Sequence, residues 1–420
     1  MAQKSSRSTS KPALLNEKFW STFAKSHWEK KPLLVRNVKS DLLQMSADEI
    51  FDLLVLYADR CRDLNDPEGF KFFIDGAKAD QEEVLQVLPE RDDKSLLGYH
   101  ERMESEFSDY CLVCDELLQV NLKKQQYLTE FTDALYRHVG FPNRFSEMGL
   151  YLGNYKKTPF GVHVDSCGVF SFPVAGVKKF RLWPAAYGDK HPELDRTFSY
   201  EKHKKHSQLL EVGPGDMTYW PSSEWHIAES DGSFSATWSL GVWVDQPHKD
   251  VFSETLKALI DTKMGSVGEK VTTSFKTLHS QNGEVSELPK EYRDSIELLK
   301  NLSPSELEEA FLQSWTKHIS LQGFKTMPHT EVKIAPKSKI QLRNDHSMIL
   351  WQQSLTNKKM YAFSFGGVQI QSTSAGLLKL IKALNTGKAL VPGDFLKGAT
   401  LKNDIQSLQA LANAGAIQKV

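Results

Sequence analysis

Gly213-Pro214-Gly215-Asp216-Met217-Thr218-Tyr219-Trp220-Pro221-Ser222-Ser223-Glu224-Trp225-His226 is the stretch on which the fold turns. Gly-Pro-Gly-Asp is a strong turn signal, because Pro presets φ and Gly accepts a positive φ. Met217 to Trp220 is a β-prone run that the turn starts. Pro221 then ends regular pairing, since it has no N–H to donate. His226 is left at the mouth of a strand layer. An isolated histidine there reads as a buried imidazole bonded to a backbone carbonyl as readily as a metal ligand, so its partners decide.

Those partners lie upstream, in His163-Val164-Asp165. In extended chain, residues i and i+2 point to one side, so His163 and Asp165 can reach one ion while Val164 faces away. Two imidazoles and a carboxylate hold ferrous iron by one face and leave three positions for a co-substrate and O₂. His226 has to come from another strand laid alongside. Lys178-Lys179-Phe180-Arg181-Leu182-Trp183 alternates, with Lys178, Phe180 and Leu182 on one face and Lys179, Arg181 and Trp183 on the other. Both faces carry large apolar residues. If the Phe180/Leu182 face looks inward, Lys178 is a buried cation in need of an anion, which a bound dicarboxylate supplies. If not, it is a snorkelling surface lysine beside Gly176.

The rest of the chain frames this centre. Residues 16–60 read as helical, with Ser46-Ala-Asp-Glu49 as a capping box, and helical patterning returns from Leu117 to Arg137. Met148 to Val244 is a series of short β-prone runs broken by Gly, Pro and Asp, as a double-stranded β-helix requires. After Pro247 the spacing of Val251, Phe252, Leu256, Leu259 and Ile260 predicts an amphipathic helix over 249–264. A Gly/Ser/Thr-rich stretch follows, then helices over 290–300 and 303–320, the last capped by Ser303, Pro304 and Glu306. In 331–420, Met348–Trp351 and Met360–Phe365 read as strands. Leu377–Leu384 and Ile405–Ala412 read as helices closed by Asn385-Thr386-Gly387 and by Gly415.

Composition excludes several classes. The chain has 420 residues, 52 Lys+Arg against 53 Asp+Glu, a formal charge of −1 and four cysteines. Such balance gives no global attraction to nucleic acid or membrane, and the sparse thiols favour a reducing compartment, here the cytoplasm. No apolar run reaches membrane-spanning length, and the polar start has no signal-peptide core. Cys111-Leu112-Val113-Cys114 lacks a second pair at zinc spacing and reads as a buried strand. Cys167 is a candidate lining residue. His203-Lys204-Lys205-His206 reads as a solvated basic loop in preference to a metal site. The segment 331–420 carries 12 Lys/Arg against four acids, yet Asp404 to Asn413, where a recognition helix would lie, has no Lys or Arg. Sequence-specific DNA binding is therefore disfavoured.

Taken together these residues resemble the JmjC branch of the cupin superfamily, the Fe(II)/2-oxoglutarate oxygenases, and within it the ribosomal oxygenase type. Gly215 to His226 is similar to the second cupin motif, with Ser223 where Gly is usual. His163, Asp165 and His226 match the metal triad. Lys178 stands fifteen residues after His163, where the family places the lysine for the far carboxylate of 2-oxoglutarate. Tyr151, twelve before His163, stands where the ribosomal type places a helping tyrosine. Trp238-Ser239-Leu240-Gly241 resembles the following strand and makes Ser239 a secondary co-substrate candidate. Phe19-Trp20 and His27–Leu34 resemble the family's leading helix and Trp-X-Lys-Lys-Pro-Leu segment. Two departures are Ser166-Cys167-Gly168-Val169-Phe170 in place of an Asp-Val-Phe, and Phe160, with Thr158 nearby, where Thr or Asn is common.

The resemblance implies an α+β fold. It consists of a double-stranded β-helix (cupin/JmjC jelly roll) with N-terminal helices, a helical middle segment and a C-terminal winged-helix-like domain. The expected boundaries are a disordered tail over 1–15, a catalytic domain over 16–246, a helical dimerisation segment over 247–329 and the last domain over 330–420. It further implies Fe(II) as metal, 2-oxoglutarate and O₂ as co-substrates, a homodimer, and a protein or peptide substrate, with Arg or His of a ribosomal protein favoured. N-methyl-lysine demethylation, hydroxylation of a peptide natural product and a non-catalytic cupin-like module are the alternatives.

Overall fold

Two-residue alternation builds the core of this protein. The computed structural model describes residues 13–264 and 288–420. Most of the expected polar tail, up to residue 12, and the Gly/Ser/Thr-rich stretch over 265–287 lie outside the described residues. The tail ends sooner than residue 15, because Ala13–Leu14 pairs in parallel with Val38–Lys39. The chain divides into two compact units, Met1–Asp245 with Gln322–Pro328, and Gln246–Leu321 with His329–Val420.

In the first unit, helix α1 (Glu17–Ser26) is capped by Asn16, and α2 (Ala47–Leu64) by the Ser46/Glu49 capping box. Between them Leu33–Val35 forms strand β1, so the span 16–60 is not helical throughout. Pro32 precedes this strand and lacks the N–H to extend α1. Then come β2 (Phe70–Ile74), β3 (Ala77–Lys78), α3 (Gln81–Val87), α4 (Leu96–Glu106) and β4 (Tyr110–Asp115). The helical patterning expected from Leu117 forms a 3₁₀ turn over Leu117–Val120 and then α5 (Leu122–Val139), which starts afresh because the Asn121 side chain accepts from Lys123 and Lys124 N–H.

The jelly roll follows as β5 (Phe145–Gly153), β6 (Cys167–Ala175), β7 (Lys178–Trp183), β8 (Gln208–Val212), β9 (Met217–Trp220), β10 (Trp225–Glu229) and β11 (Ser235–Trp243). The large sheet runs β1-β9-β6-β11-β5-β4-β2-β3 and the small one β8-β7-β10. Odd and even residues separate cleanly. Met148, Leu150 and Leu152 of β5, and Ala236, Trp238, Leu240 and Val242 of β11, join a core with Trp20, Phe23, Phe131 and Phe170 under the N-terminal helices. The intervening residues face the small sheet. This is how one strand seals a helix layer and lines a cavity at once.

The turn that begins β9 behaves as its sequence requires. Asp216 N–H donates to Gly213 O at 3.0 Å and Gly215 has φ +86°, the type II arrangement. The Asp216 carboxylate is buried and accepts from Gly213 N–H, Asn37 N–H and Arg36 Nη1. Leu33–Val35 pairs with β9, and Tyr219 donates to Glu29 at 2.9 Å while lying against Trp28. The Trp-X-Lys-Lys-Pro-Leu segment thus clamps the strand that leads to His226.

The second unit holds α6 (His248–Met264), α7 (Lys290–Lys300) and α8 (Pro304–Ser320), the last with the expected Ser303/Glu306 box. Strands β12 (Ile340–Leu342), β13 (Leu350–Gln353), β14 (Tyr361–Phe365) and β15 (Val368–Ser372) follow, then α9 (Ala375–Leu384), α10 (Leu401–Asn413) and β16 (Ile417–Lys419). They form a β13-β14-β15 sheet and a β12-β16 pair around a core of Ile340, Phe363, Leu380, Leu408 and Leu411. Among the described residues no helix is long and apolar enough to cross a membrane.

Candidate active site

His163 and His226 meet backbone to backbone. His163 N–H donates to His226 O at 3.0 Å and His226 N–H to His163 O at 2.8 Å, an isolated antiparallel bridge. His163-Val-Asp165 is therefore extended chain attached to β10 by one bridge, and is not a regular strand. The side-selection argument still holds, since Val164 is exposed while both neighbours turn inward.

Each imidazole is oriented by its own loop. His163 Nδ1 lies 2.9 Å from Gly161 O, and His226 Nδ1 lies 3.1 Å from Glu224 O. An N–H at Nδ1 donating to those carbonyls leaves both Nε2 lone pairs for an ion. His163 Nε2 is 3.6 Å from Asp165 Oδ1 and His226 Nε2 is 3.3 Å from Asp165 Oδ2. Cis positions of an octahedron with bonds near 2.1 Å stand about 3 Å apart, so the three donors need only a small contraction around an ion. Burial, with repulsion from His226, pushes the His163 imidazolium down to about 4, so the ring is neutral and ready to bind. Burial works to raise Asp165, but its hydrogen bond to His226 and the two imidazoles outweigh it and hold the carboxyl below its usual range. The donor set fits a divalent iron: two neutral nitrogens and one carboxylate, all on one side.

Lys178 settles on the interior face with Phe180 and Leu182, all three buried. Burial pushes its ammonium down to about 7, with partial relief from the Asp109 carboxylate. Its Nζ donates to Ser235 Oγ at 3.3 Å and stands 3.5 Å from the ring centroid of Tyr155. No carboxylate pairs with it among the described residues. Among the described residues Thr158 Oγ1 and Thr237 Oγ1 are buried without a hydrogen-bond partner, and with Tyr155 they line the same cavity, of about 160 Å³. One buried cation and two orphaned hydroxyls around a preformed space fit a small carboxylate.

Tyr151 and Ser239 also line this cavity, as does Cys167. Tyr151, however, packs edge-on against Phe160, and the tyrosine against the Lys178 ammonium is Tyr155. Thr237 lies two residues before Ser239 on the same strand face, and period two from Ser239 points to it. Tyr155 lies beyond β5 and carries no such signal. Asp115 and Glu147 line the same cavity. Lys71 pairs with Asp115 at 2.5 Å, whereas burial and the Asp115 charge hold the Glu147 carboxyl above its usual range. Glu147 shares the face of Tyr151 by alternation, but Asp115 arrives through the long-range β4–β5 register opposite Gly149.

Residues 122–249 match the JmjC domain family. No curated protein matches the chain by sequence. Among solved structures, Escherichia coli YcfD is similar over 96% of this chain and 98% of its own, at 16% identity and a TM-score of 0.52. A second structure, of the E. coli ribosomal oxygenase YcfD with cobalt and succinic acid, matches over 95% and 98% at 17% identity and a TM-score of 0.50. At such identity the likeness carries the fold. Residues 122–249 thus match a JmjC domain, the chain has the fold of E. coli YcfD, and within that domain His163, Asp165 and His226 form a donor set fit for divalent iron.

Proposed function

We propose that this protein is an Fe(II)- and 2-oxoglutarate-dependent oxygenase that hydroxylates a cationic side chain, arginine ahead of histidine, in a protein or peptide. One observation carries the reading. A single cavity is lined by the His163/Asp165/His226 donors, the Lys178 ammonium and the Asp115/Glu147 carboxylates. The strand register sets Ser235, which accepts from Lys178, opposite Gly153 and Glu147 opposite Gly241, well apart along β5 and β11. An anion is drawn to the ammonium and a cation to the carboxylates. Iron with 2-oxoglutarate and O₂ supplies oxidative decarboxylation coupled to insertion of one oxygen atom into a C–H bond.

The chain's own groups do the rest. Lys178, helped by the hydroxyls of Tyr155, Thr158 and Thr237, holds the far carboxylate. His163 and His226 present Nε2 because Gly161 and Glu224 carbonyls take their other N–H. Phe160, Phe180, Trp220 and Trp243 keep water off the reacting centre. Gly149 lets Asp115 come close to β5, and Gly241 lets the Trp243 ring and Cys167 come close to β11, at positions where a Cβ would collide with them. The E. coli neighbour is described as a ribosomal oxygenase, and a ribosomal protein is the leading substrate for this chain too. The same reading includes a homodimer through the helices of the second unit and a reducing, cytoplasmic setting, in keeping with four unpaired, buried thiols.

Peptides drawn from basic ribosomal proteins, incubated with enzyme, iron and 2-oxoglutarate, should gain one oxygen on arginine in step with succinate release. Succinate formed without any modified peptide, or modification confined to histidine, would count against the arginine assignment. Loss of a methyl group from methyl-lysine peptides would favour demethylation instead.

A further inference from the structure

The loop between β7 and β8 carries a second group of metal-type donors. His203, which belongs to the basic run His203-Lys204-Lys205-His206, turns inward, while Lys205 and His206 stay exposed. Its Nε2 lies 3.6 Å from Glu193 Oε1, and the same oxygen lies 2.9 Å from His191 Nδ1. The two rings stand 5.1 Å apart between centroids. In a tetrahedral zinc site with bonds of about 2.0–2.1 Å, neighbouring donors are roughly 3.3 Å apart, and the observed separations straddle that value. The other nitrogen of His203, Nδ1, lies 2.9 Å from Tyr187 OH. This contact orients the ring and directs Nε2 at the glutamate, as outer partners of metal-bound histidines do.

We propose that His191, Glu193 and His203 form a second metal site, for Zn²⁺, that staples the segment 184–206 behind the histidines of the first centre. Two imidazoles with one carboxylate suit zinc among the common divalent ions, with a water completing the four positions. The segment it ties down is a brace. Leu194 and Tyr200 pack with Val162, Trp183 and Ile227, and Val162 and Ile227 are the chain neighbours of His163 and His226. Arg196 N–H donates to Val162 O at 2.7 Å and Val162 N–H to Thr197 O at 3.0 Å. A Cβ on Gly161 would sit 2.5 Å from Arg196 O, so the two backbones meet where only glycine fits. Trp225, next to His226, lies over Gly188 and donates to Asp189 at 3.1 Å. Trp183 Nε1 donates to His203 O at 2.9 Å, which fixes the far end of the segment on β7. Zinc would close this brace across the stretch from 191 to 203. The proposal does not depend on the oxygenase reading.

The test uses the full chain carrying His163→Ala and Asp165→Ala, so that the first centre cannot take zinc. Equilibrated with ZnCl₂ and desalted, this chain should retain about one zinc per molecule and lose it when His191→Ala and His203→Ala are added. Glu193→Gln, a gentler change, should weaken zinc at least about tenfold in competition with a chelating dye. In the otherwise unaltered chain, zinc should slow proteolysis within 184–206, and His191→Ala/His203→Ala should remove that protection. The same variant should keep the far-ultraviolet circular dichroism and elution volume of the unaltered chain, which shows that it folds. A first-centre variant that holds no zinc, or zinc content indifferent to His191 and His203, overturns the proposal.

Discussion

At the residue scale, Lys178 gives the sharpest expectation. Burial lowers its ammonium from 10.5 to about 7, so between those values the unfolded chain holds a proton that the folded, ligand-free protein does not. Stability from this group is therefore lowest below pH 7 and rises across that window. A bound dicarboxylate reverses the preference, because the charged lysine then has its partner. Binding of 2-oxoglutarate should take up a proton above pH 7 and weaken by roughly tenfold per pH unit toward pH 9. Calorimetry in buffers of different ionisation enthalpy checks this; a flat affinity with no proton uptake would remove Lys178 from the co-substrate site. Lys178→Ala should raise the 2-oxoglutarate requirement far more than that for iron. An equal rise in both would point to a general loss of structure. His163, Asp165, His226 and Lys178 were legible because each sits in a short pattern of fixed spacing. Tyr155 was not, since its partnership with Lys178 arises only when the chain after β5 folds back over β7.

At the element scale, the two faces of β5, β6 and β11 have separate duties, and substitutions should separate them. Phe170 faces the helix layer and touches Trp20, Phe23, Phe131 and Tyr219. Phe170→Ala should cost about 3–5 kcal/mol of stability, read by denaturant melts. A loss below about 1 kcal/mol would mean that this layer is not the core. Gly241 faces the cavity, where an added Cβ would meet the Trp243 ring and Cys167 Sγ. Gly241→Val should leave 2-oxoglutarate binding nearly intact and raise the peptide KM at least about tenfold. The reverse pattern would relocate the substrate path. Period-two alternation made the strands readable from Met148 onward. Strands β2 and β3 and helices α3 and α4 were not read, because Phe70–Ile74 is nearly continuous in its apolar character and matches neither template well.

At the scale of the whole molecule, exposed Phe252, Tyr292, Ile296, Leu299 and Trp315 stand on α6, α7 and α8. Light scattering behind a sizing column should give twice the chain mass, and Leu299→Glu with Trp315→Glu should give the monomer; a native monomer contradicts the dimer. For nucleic acid, α10 begins at Leu401 and so includes Lys402, but Asp404 is buried on Ser374 and Gln409 is occupied by the backbone of Val332 and Ile334. A side chain spent on its own fold cannot read a base, and duplex DNA should bind no better in specific than in random sequence. The sheet order β1-β9-β6-β11 and the return of Gln322–Pro328 to the first unit rest on contacts between distant residues. No local pattern encodes them, whereas caps such as Ser303/Glu306 are wholly local.

The proposed oxygenase requires His163, Asp165 and His226 to hold one ferrous ion with positions left open for 2-oxoglutarate. Anaerobic titration of Fe(II) and 2-oxoglutarate into the native protein should produce a weak metal-to-ligand absorbance band that His163→Ala or Asp165→Ala abolishes. No band in the native protein, or a band that survives either substitution, would rule out an iron centre on these three side chains.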